Sequence, residues 1–117
     1  MKEKKGTTNY KECVHNLYPL RDAIEVLGPK WRIQILIAIT YGNESFTAIQ
    51  KALETISPRI LSKELKTLEE NKLIIREVSH TYPIAIRYKW TEHTKTIVPL
   101  ITFLKDWGQT HRDYIFK

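Results

Sequence analysis

The feature that most constrains the fold is a capped, two-sided helix pattern that begins at Ser57. Leu61, Leu65 and Leu68 recur at three- and four-residue steps, as they would along one face of an α-helix. Ser57 is a favoured N-cap, and Pro58 suits the first helical position because its missing N–H is not needed there. The other side carries basic and hydroxyl side chains, namely Arg59, Ser62, Lys63 and Lys66. The pattern predicts a helix that buries leucine and exposes a basic face.

Helical patterns also precede this segment. A short helix is predicted over residues 20–27, ended by Gly28-Pro29, with an inward face made of Ala23, Ile24 and Leu27. The apolar residues 31–40 indicate a buried central helix, although their isoleucines would also suit a strand. Residues 46–53 form a further amphipathic helix that Ser45 can cap.

The pattern changes after Leu73. Residues 74–78 and 84–91 are rich in β-branched and aromatic side chains, and a polar, proline-containing segment separates them, which predicts a β-hairpin. Helical spacing returns at about residue 92. Pro99 is expected inside that last helix, where it should kink the axis or remove a hydrogen bond.

This order of elements predicts a mainly α fold with a small β-hairpin wing, which is a winged helix-turn-helix with N- and C-terminal helices for dimerisation. We divide the chain into a flexible N-terminal arm (residues 1–17), a DNA-binding core (18–92) and C-terminal dimerisation helices (93–117). In such folds the second helix of the motif reads the major groove, and the wing reaches the phosphates or the adjacent minor groove.

Composition narrows the class of protein. A chain of 117 residues suits one domain, and its net charge of +6 favours a polyanionic partner. The single cysteine excludes an internal disulfide and fits a reducing compartment. The polar N-terminus does not resemble a signal peptide, and no apolar run approaches the roughly 20 residues that span a bilayer. We therefore expect a cytoplasmic protein that does not enter membranes.

Several segments resemble the HxlR-type bacterial transcription regulators, which are relatives of the MarR type. Gly28-Pro29-Lys30-Trp31 is similar to the family's Gly-Gly-Lys-Trp, and the segment from Ile56 to Glu69 resembles its Ile-Ser-x-Arg-x-Leu-x-x-x-Leu-x-x-Leu-Glu. Ser45–Ile49, Leu73–Val78, Tyr88–Glu92 and the ending Pro99…Leu104-Lys105-Asp106-Trp107-Gly108 continue the similarity over roughly residues 18–111. The resemblance implies a homodimeric winged-helix DNA binder, with repression as the default.

The chain departs from the family at two functional places. Family members often carry Cys-Pro before the first helix as a redox or electrophile sensor, and here that position is Tyr18-Pro19. Cys13 lies in the arm without an activating neighbour, so an inert thiol is favoured over a sensor. In the wing, Pro83-Ile84-Ala85 stands where the family has Pro-Pro-Arg, so the family's arginine is absent from that position. Arg87, two residues further on, partly replaces it. His93-Thr94 replaces a common Leu-Gly, so the last helix is expected to begin differently.

The predicted DNA contacts fall into three groups. Arg59 and Ser62 are candidates for base edges, because arginine can engage guanine with two hydrogen bonds and serine accepts several partners. Phosphate contacts are expected from the two helices that precede residue 57. The tip of the wing and one residue of its second strand should contribute further contacts. The full set is Lys30, Arg32, Thr47, Lys51, Ser57, Arg59, Ser62, Lys63, Lys66, His80, Thr81, Tyr82 and Arg87.

A dimer interface is predicted from the apolar side chains of the last helix, which one small winged helix cannot bury: Leu100, Phe103, Leu104, Trp107 and Tyr114. The rival function is a winged-helix protein-interaction module without specific DNA binding, against which the basic helix face argues. A small-molecule effector is possible in a pocket lined by Tyr18, Trp31 and Trp107, although core packing explains each of them. No metal, cofactor or catalytic motif is evident, so we expect no enzyme activity.

Overall fold

The computed structural model describes residue 11 and residues 15–117. Its elements are α1 (Tyr18–Leu27), α2 (Arg32–Thr40), α3 (Phe46–Leu53), α4 (Pro58–Glu70), β1 (Ile74–Val78), β2 (Ile86–Trp90), a 3₁₀ helix (His93–Ile97) and α5 (Val98–Ile115). The two strands pair as an antiparallel hairpin. The prediction of a mainly helical winged helix-turn-helix is confirmed.

The core forms where α2, α3 and α4 meet the base of the hairpin. Ile35 and Leu36 of α2, Ile49 of α3 and Leu61 of α4 are fully buried. The segment 31–40 is therefore helical despite its isoleucines, because a helix that is apolar on most of its surface can be surrounded by other elements.

Local signals set both ends of α4. The Ser57 hydroxyl accepts a hydrogen bond from the Ile60 amide at 3.1 Å, which satisfies an otherwise free N–H of the first turn. At the other end, the Leu73 amide donates to the Leu68 carbonyl and the Lys72 amide to that of Glu69. Lys72 has a φ of 62°, so the helix ends in the Schellman arrangement with lysine where glycine is usual. The turn buries Leu73 and directs the chain into β1.

The hairpin is attached to the core through one face of β2. Its register pairs Ile74 with Trp90 and Val78 with Ile86. Tyr88 is buried, and the indole Nε1–H of Trp90 donates to the Leu36 carbonyl at 2.9 Å. Because side chains alternate along a strand, the residues between them point to the outer face.

A polar junction joins the hairpin to the last helix. The hydroxyl of Thr94 is buried and donates to the Leu73 carbonyl, and the Thr91 hydroxyl donates to the Lys72 carbonyl at 2.7 Å. The 3₁₀ helix is thereby fixed to the end of α4. By contrast, none of the 18 residues of α5 is buried.

Two expectations about the helices were wrong in detail. Pro99 is the second residue of α5, where no intrahelical N–H donor is required, so it starts the helix and does not kink it. Ile24 is 60% exposed and does not face the core, since α1 buries only Leu27. The predicted arm at residues 1–17 lies mostly outside the described residues, and within it residues 11, 15 and 16 have helical backbone.

The turn between α3 and α4 contains a strained residue. Glu54 has φ 61° and ψ −62°, and the Thr55 amide donates to the Leu53 carbonyl at 2.6 Å across it. These values define a γ-turn of the rare, strained kind, which side chains other than glycine adopt at a cost. The chain therefore passes from α3 to α4 through a backbone conformation at Glu54 that glycine would adopt more easily.

Replacing Glu54 by glycine is predicted to stabilise the protein by about 1 kcal/mol, because the strain exceeds the extra chain entropy of glycine in the unfolded state. The measurement is the free energy of unfolding in urea. The matched control is Ala52→Gly, two residues earlier inside α3, which should destabilise by about 1 kcal/mol. Destabilisation by both substitutions would contradict the strain at Glu54.

Candidate nucleic-acid interface

The face of α4 opposite its leucines is exposed and basic. Arg59, Ser62, Lys63 and Lys66 are all exposed, whereas Leu61, Leu65 and Leu68 are at most 2% exposed. Arg59 and Ser62 lie in the first two turns, the part of a reading helix that approaches base edges. Ser57 is exposed as well, but its hydroxyl already serves as the N-cap.

Ile60 is a feature of this face that the sequence analysis did not identify. It is 43% exposed and lies beside Arg59 in the first turn of α4. At about 100° per residue it stands well off the leucine stripe, which is the signal that would have identified it. An exposed aliphatic side chain at this position suits contact with a thymine methyl group.

The residues predicted to contact phosphates from α3 and the start of α2 are mostly accessible. Thr47 and Lys51 are exposed on α3, with Lys51 in its last turn. Lys30 is exposed and its Nζ lies 4.7 Å from the centre of the Trp31 ring. A cation over an aromatic face keeps its charge and part of its solvation, so Lys30 is still able to bind a phosphate.

The surroundings of Arg32 argue against its expected phosphate contact. Its Nε donates to Glu64 Oε1 at 2.6 Å, and the two side chains are only 14% and 12% exposed. Its Nη1 also donates at 3.0 Å to the carbonyls of Glu25 and Val26. Arg32 therefore joins the end of α1 to α4, and three of its five N–H donors are engaged within the protein.

The tip of the wing is exposed and internally ordered. His80, Thr81 and Tyr82 are exposed, with Tyr82 at 94%. The Ser79 hydroxyl accepts from the Thr81 amide at 3.2 Å and donates to the Thr81 carbonyl at 2.9 Å. These bonds hold the tip as a compact turn beyond the paired strands.

The cationic side chains on the outer face of β2 lie around one acid. Arg87 Nη1 is 3.6 Å and Lys89 Nζ is 3.2 Å from Glu44 Oε1, in the turn between α2 and α3. The amide of Tyr88 donates to the Glu44 carbonyl at 2.7 Å. The sequence analysis did not connect these residues, because Glu44 is more than 40 positions away from β2.

The predicted dimer residues lie on α5 and are exposed to solvent in the single chain. The exposed fraction is 75% for Phe103, 64% for Trp107 and 74% for Tyr114, and Leu100 and Leu104 are exposed too. On α1, Tyr18, Leu20 and Ile24 add further exposed apolar surface. The two helices thus present large side chains that this chain alone does not cover.

A cleft of about 370 Å³ lies between α2, β2 and α5. It is lined by Ile37, Thr40, Tyr41, Trp90, Val98, Ile101 and Thr102. None of the three residues predicted to line an effector pocket belongs to it. Tyr18 and Trp107 are exposed instead, and Trp31 packs partly buried against the core.

Membrane-spanning helices and metal sites were sought in residue 11 and residues 15–117, the part of the chain that the structure describes. Within them, no helix is both long and apolar enough to cross a membrane. In the same part of the chain, no three His, Cys, Asp or Glu side chains lie close enough together to hold a metal ion. Cys13 falls outside the described residues, so the structure does not bear on its role.

Comparison with known proteins identifies the class. The model of the HxlR-like helix-turn-helix family matches residues 26–115. The HTH-type transcriptional regulator YdeP of Bacillus subtilis is 30% identical over 117 residues, which are all of this chain and 91% of that protein. YybR of the same organism is 30% identical over 115 residues, covering 98% of this chain and 89% of its own.

Solved structures give the same result. The reduced form of the redox regulator HypR superimposes with a TM-score of 0.72 at 31% identity, covering 83% of this chain and 96% of its own. Reduced YodB of B. subtilis gives a TM-score of 0.73 at 25% identity, covering 78% and 89%. The curated relatives are described as transcriptional regulators. This chain belongs to the HxlR-like helix-turn-helix family of transcriptional regulators.

Proposed function

We propose that this regulator binds a specific inverted-repeat operator as a homodimer and represses transcription. The observation that carries the proposal is the exposed basic and hydroxyl face of α4, held outward by the buried leucines on its other side. A helix of this kind enters the major groove with its N-terminal residues toward the bases. Repression follows from occupying a promoter, in the compartment that holds the DNA, which for a bacterial regulator is the cytoplasm.

The proposed contacts divide by chemistry. Arg59 and Ser62 read base edges, and Ile60 adds an apolar contact. The other predicted DNA contacts bind the phosphate backbone and so fix the register of α4 on the duplex. They are Lys30, Thr47, Lys51, Ser57, Lys63 and Lys66 from the helical part, and His80, Thr81, Tyr82 and Arg87 from the wing. Arg32 is left out because Glu64 and two carbonyls engage three of its five N–H donors and its side chain is only 14% exposed.

The alternative function is a protein-interaction module built on the same fold. Such a module would present an uncharged or apolar surface on α4, as the central part of protein interfaces is depleted of charge. The exposed side of α4 instead carries Arg59, Lys63 and Lys66, and the chain has a net charge of +6. Both observations favour a polyanionic partner.

The homodimer is proposed from the apolar surface of α5 and α1. Leu100, Phe103, Trp107 and Tyr114 recur at steps of three, four and seven residues, so they share one side of α5. Exposed apolar surface of this extent marks an interaction site. In a two-fold dimer the two α4 helices would lie about 34 Å apart, one turn of DNA, which matches an inverted repeat.

The signal that controls this regulator is proposed to differ from that of its redox-sensing relatives. HypR is described as a redox regulator, whereas here the position of the family's sensor cysteine is Tyr18 at the start of α1. Tyrosine cannot form a disulfide, so a thiol switch at that position is excluded. A small-molecule effector is the alternative signal, and the cleft beside Trp90 is the site proposed for it.

The direct test is binding to the duplex upstream of the regulator's own gene and to a scrambled duplex, across a salt series. We expect a preference of roughly a thousandfold and an affinity that falls steeply with salt. Binding to neither duplex at low salt would favour the interaction module.

Replacing Arg59 by alanine is predicted to weaken operator binding by about 1–3 kcal/mol and to relax specificity at one base position. The physical reason is the loss of a two-bond contact with guanine, which leaves its acceptors unpaired. The measurement is the affinity for the operator and for single-base variants of it.

The matched control is Lys63→Ala, one turn further along the same exposed face. Loss of a phosphate contact should weaken binding to all sequences alike and reduce the salt slope by about one unit. If Arg59→Ala behaves in the same way, Arg59 is a phosphate contact and not a base-reading residue.

Replacing Phe103 and Trp107 together by aspartate is predicted to convert the dimer into a monomer, because charges would be buried without partners in an apolar interface. Light scattering at micromolar concentration measures the mass. The control is Lys105→Asp, about 200° around the helix from Phe103, which should leave the mass unchanged. A monomeric wild-type protein would contradict the dimer.

A further inference from the structure

Glu44 is the residue through which the turn between α2 and α3 holds the wing. Its carbonyl accepts from the Tyr88 amide at 2.7 Å. Both of its carboxylate oxygens lie close to Lys89 Nζ, at 3.2 and 3.3 Å. Oε1 is also 3.6 Å from Arg87 Nη1. One residue thus contacts three consecutive residues of β2, on the edge that β1 does not use.

The two ion pairs differ in strength. The Glu44 side chain is 24% exposed and that of Lys89 is 42% exposed, so solvent screens this pair only in part. The Arg87 side chain is 60% exposed and its contact is longer, which leaves most of its five N–H donors free. Lys89 therefore fastens the strand, while Arg87 is restrained but still able to reach a phosphate.

A carboxylate and a phosphate offer the same cations the same kind of hydrogen bond. Lys89 is paired with Glu44 within the protein, and Arg87 is shared between Glu44 and solvent. Each free cation near a duplex adds affinity that does not depend on sequence. The pairing therefore lowers the wing's attraction to DNA in general, and it keeps the wing at a fixed position relative to α4.

We infer that Glu44 is a specificity-determining positioning residue, which fixes the wing to the helix-turn-helix, keeps Lys89 from sequence-independent phosphate binding and limits Arg87 to a phosphate within reach of its restrained position. This inference rests on the proposed function, since the wing must lie against DNA for the restraint to matter. Glu44 does not belong to α4, and it affects DNA binding only through Arg87 and Lys89 of β2.

The test substitution is Glu44→Gln, which keeps the size of the side chain and the backbone bond to Tyr88 while removing the charge. We expect the affinity for a scrambled duplex to rise several-fold and the ratio of operator to scrambled affinity to fall about tenfold. The plot of log affinity against log salt should steepen by roughly one unit, since one more phosphate is neutralised. A merely structural residue would not steepen that slope.

The matched control is Glu77→Gln. Glu77 lies directly opposite Arg87 in the hairpin register, so the substitution makes the same charge change in the same wing. Among the described residues Glu77 forms no ion pair within 4 Å. For Glu77→Gln, the slope of log affinity against log salt should equal that of the wild type. Equal steepening in both variants would overturn the inference, because net charge alone would then explain the effect.

A measurement on the free protein separates this inference from the proposed function. Hydrogen exchange of the Tyr88 amide should be several-fold faster in Glu44→Gln than in the wild type or in Glu77→Gln, because the ion pairs that hold β2 against the turn are lost. Unchanged exchange in Glu44→Gln would overturn the inference. If the wild type prefers neither duplex, the proposed function fails, and the exchange of Tyr88 still decides whether Glu44 positions the wing.

Discussion

The burial of the leucine face of α4 is the interaction on which the rest of the structure depends. Leu61, Leu65 and Leu68 enter the core beside Ile35 and Ile49, and each fully buried leucine contributes about 2 kcal/mol. A rotation of α4 about its axis would expose them. The opposite face, with its arginine and lysines, is therefore fixed in orientation by packing that it does not itself take part in. Along this one short helix, the residues that stabilise the fold are thus different from the residues proposed to contact DNA.

Much of this arrangement could be predicted from the sequence because its determinants are local. Ser57 and Pro58 mark the start of α4, and the change from helical to alternating spacing after Leu73 marks the hairpin. Both signals act within a few residues. The exposed basic face follows from the same spacing, so the central part of the candidate site could be identified before the structure.

Other features depend on residues that are distant in the chain, and there sequence reasoning failed. Arg32 is a plausible phosphate contact until the fold brings Glu64, 32 positions away, to its guanidinium. Pro99 is a plausible kink until the 3₁₀ helix before it shifts the start of α5 to Val98. Glu44 gave no signal at all, since an acid in a polar turn is unremarkable until β2 lies against it.

The threonine junction between the hairpin and the last helix has a consequence for the geometry of a dimer. The buried Thr94 hydroxyl ties the 3₁₀ helix that leads into α5 to the Leu73 carbonyl, in the turn that ends α4. An 18-residue helix is about 27 Å long. A tilt of about 10° at that junction would move its far end by roughly 5 Å, more than the 3.4 Å rise of one base pair. In the proposed dimer, the spacing of the operator half-sites would therefore depend closely on the hydrogen bonds of Thr91 and Thr94.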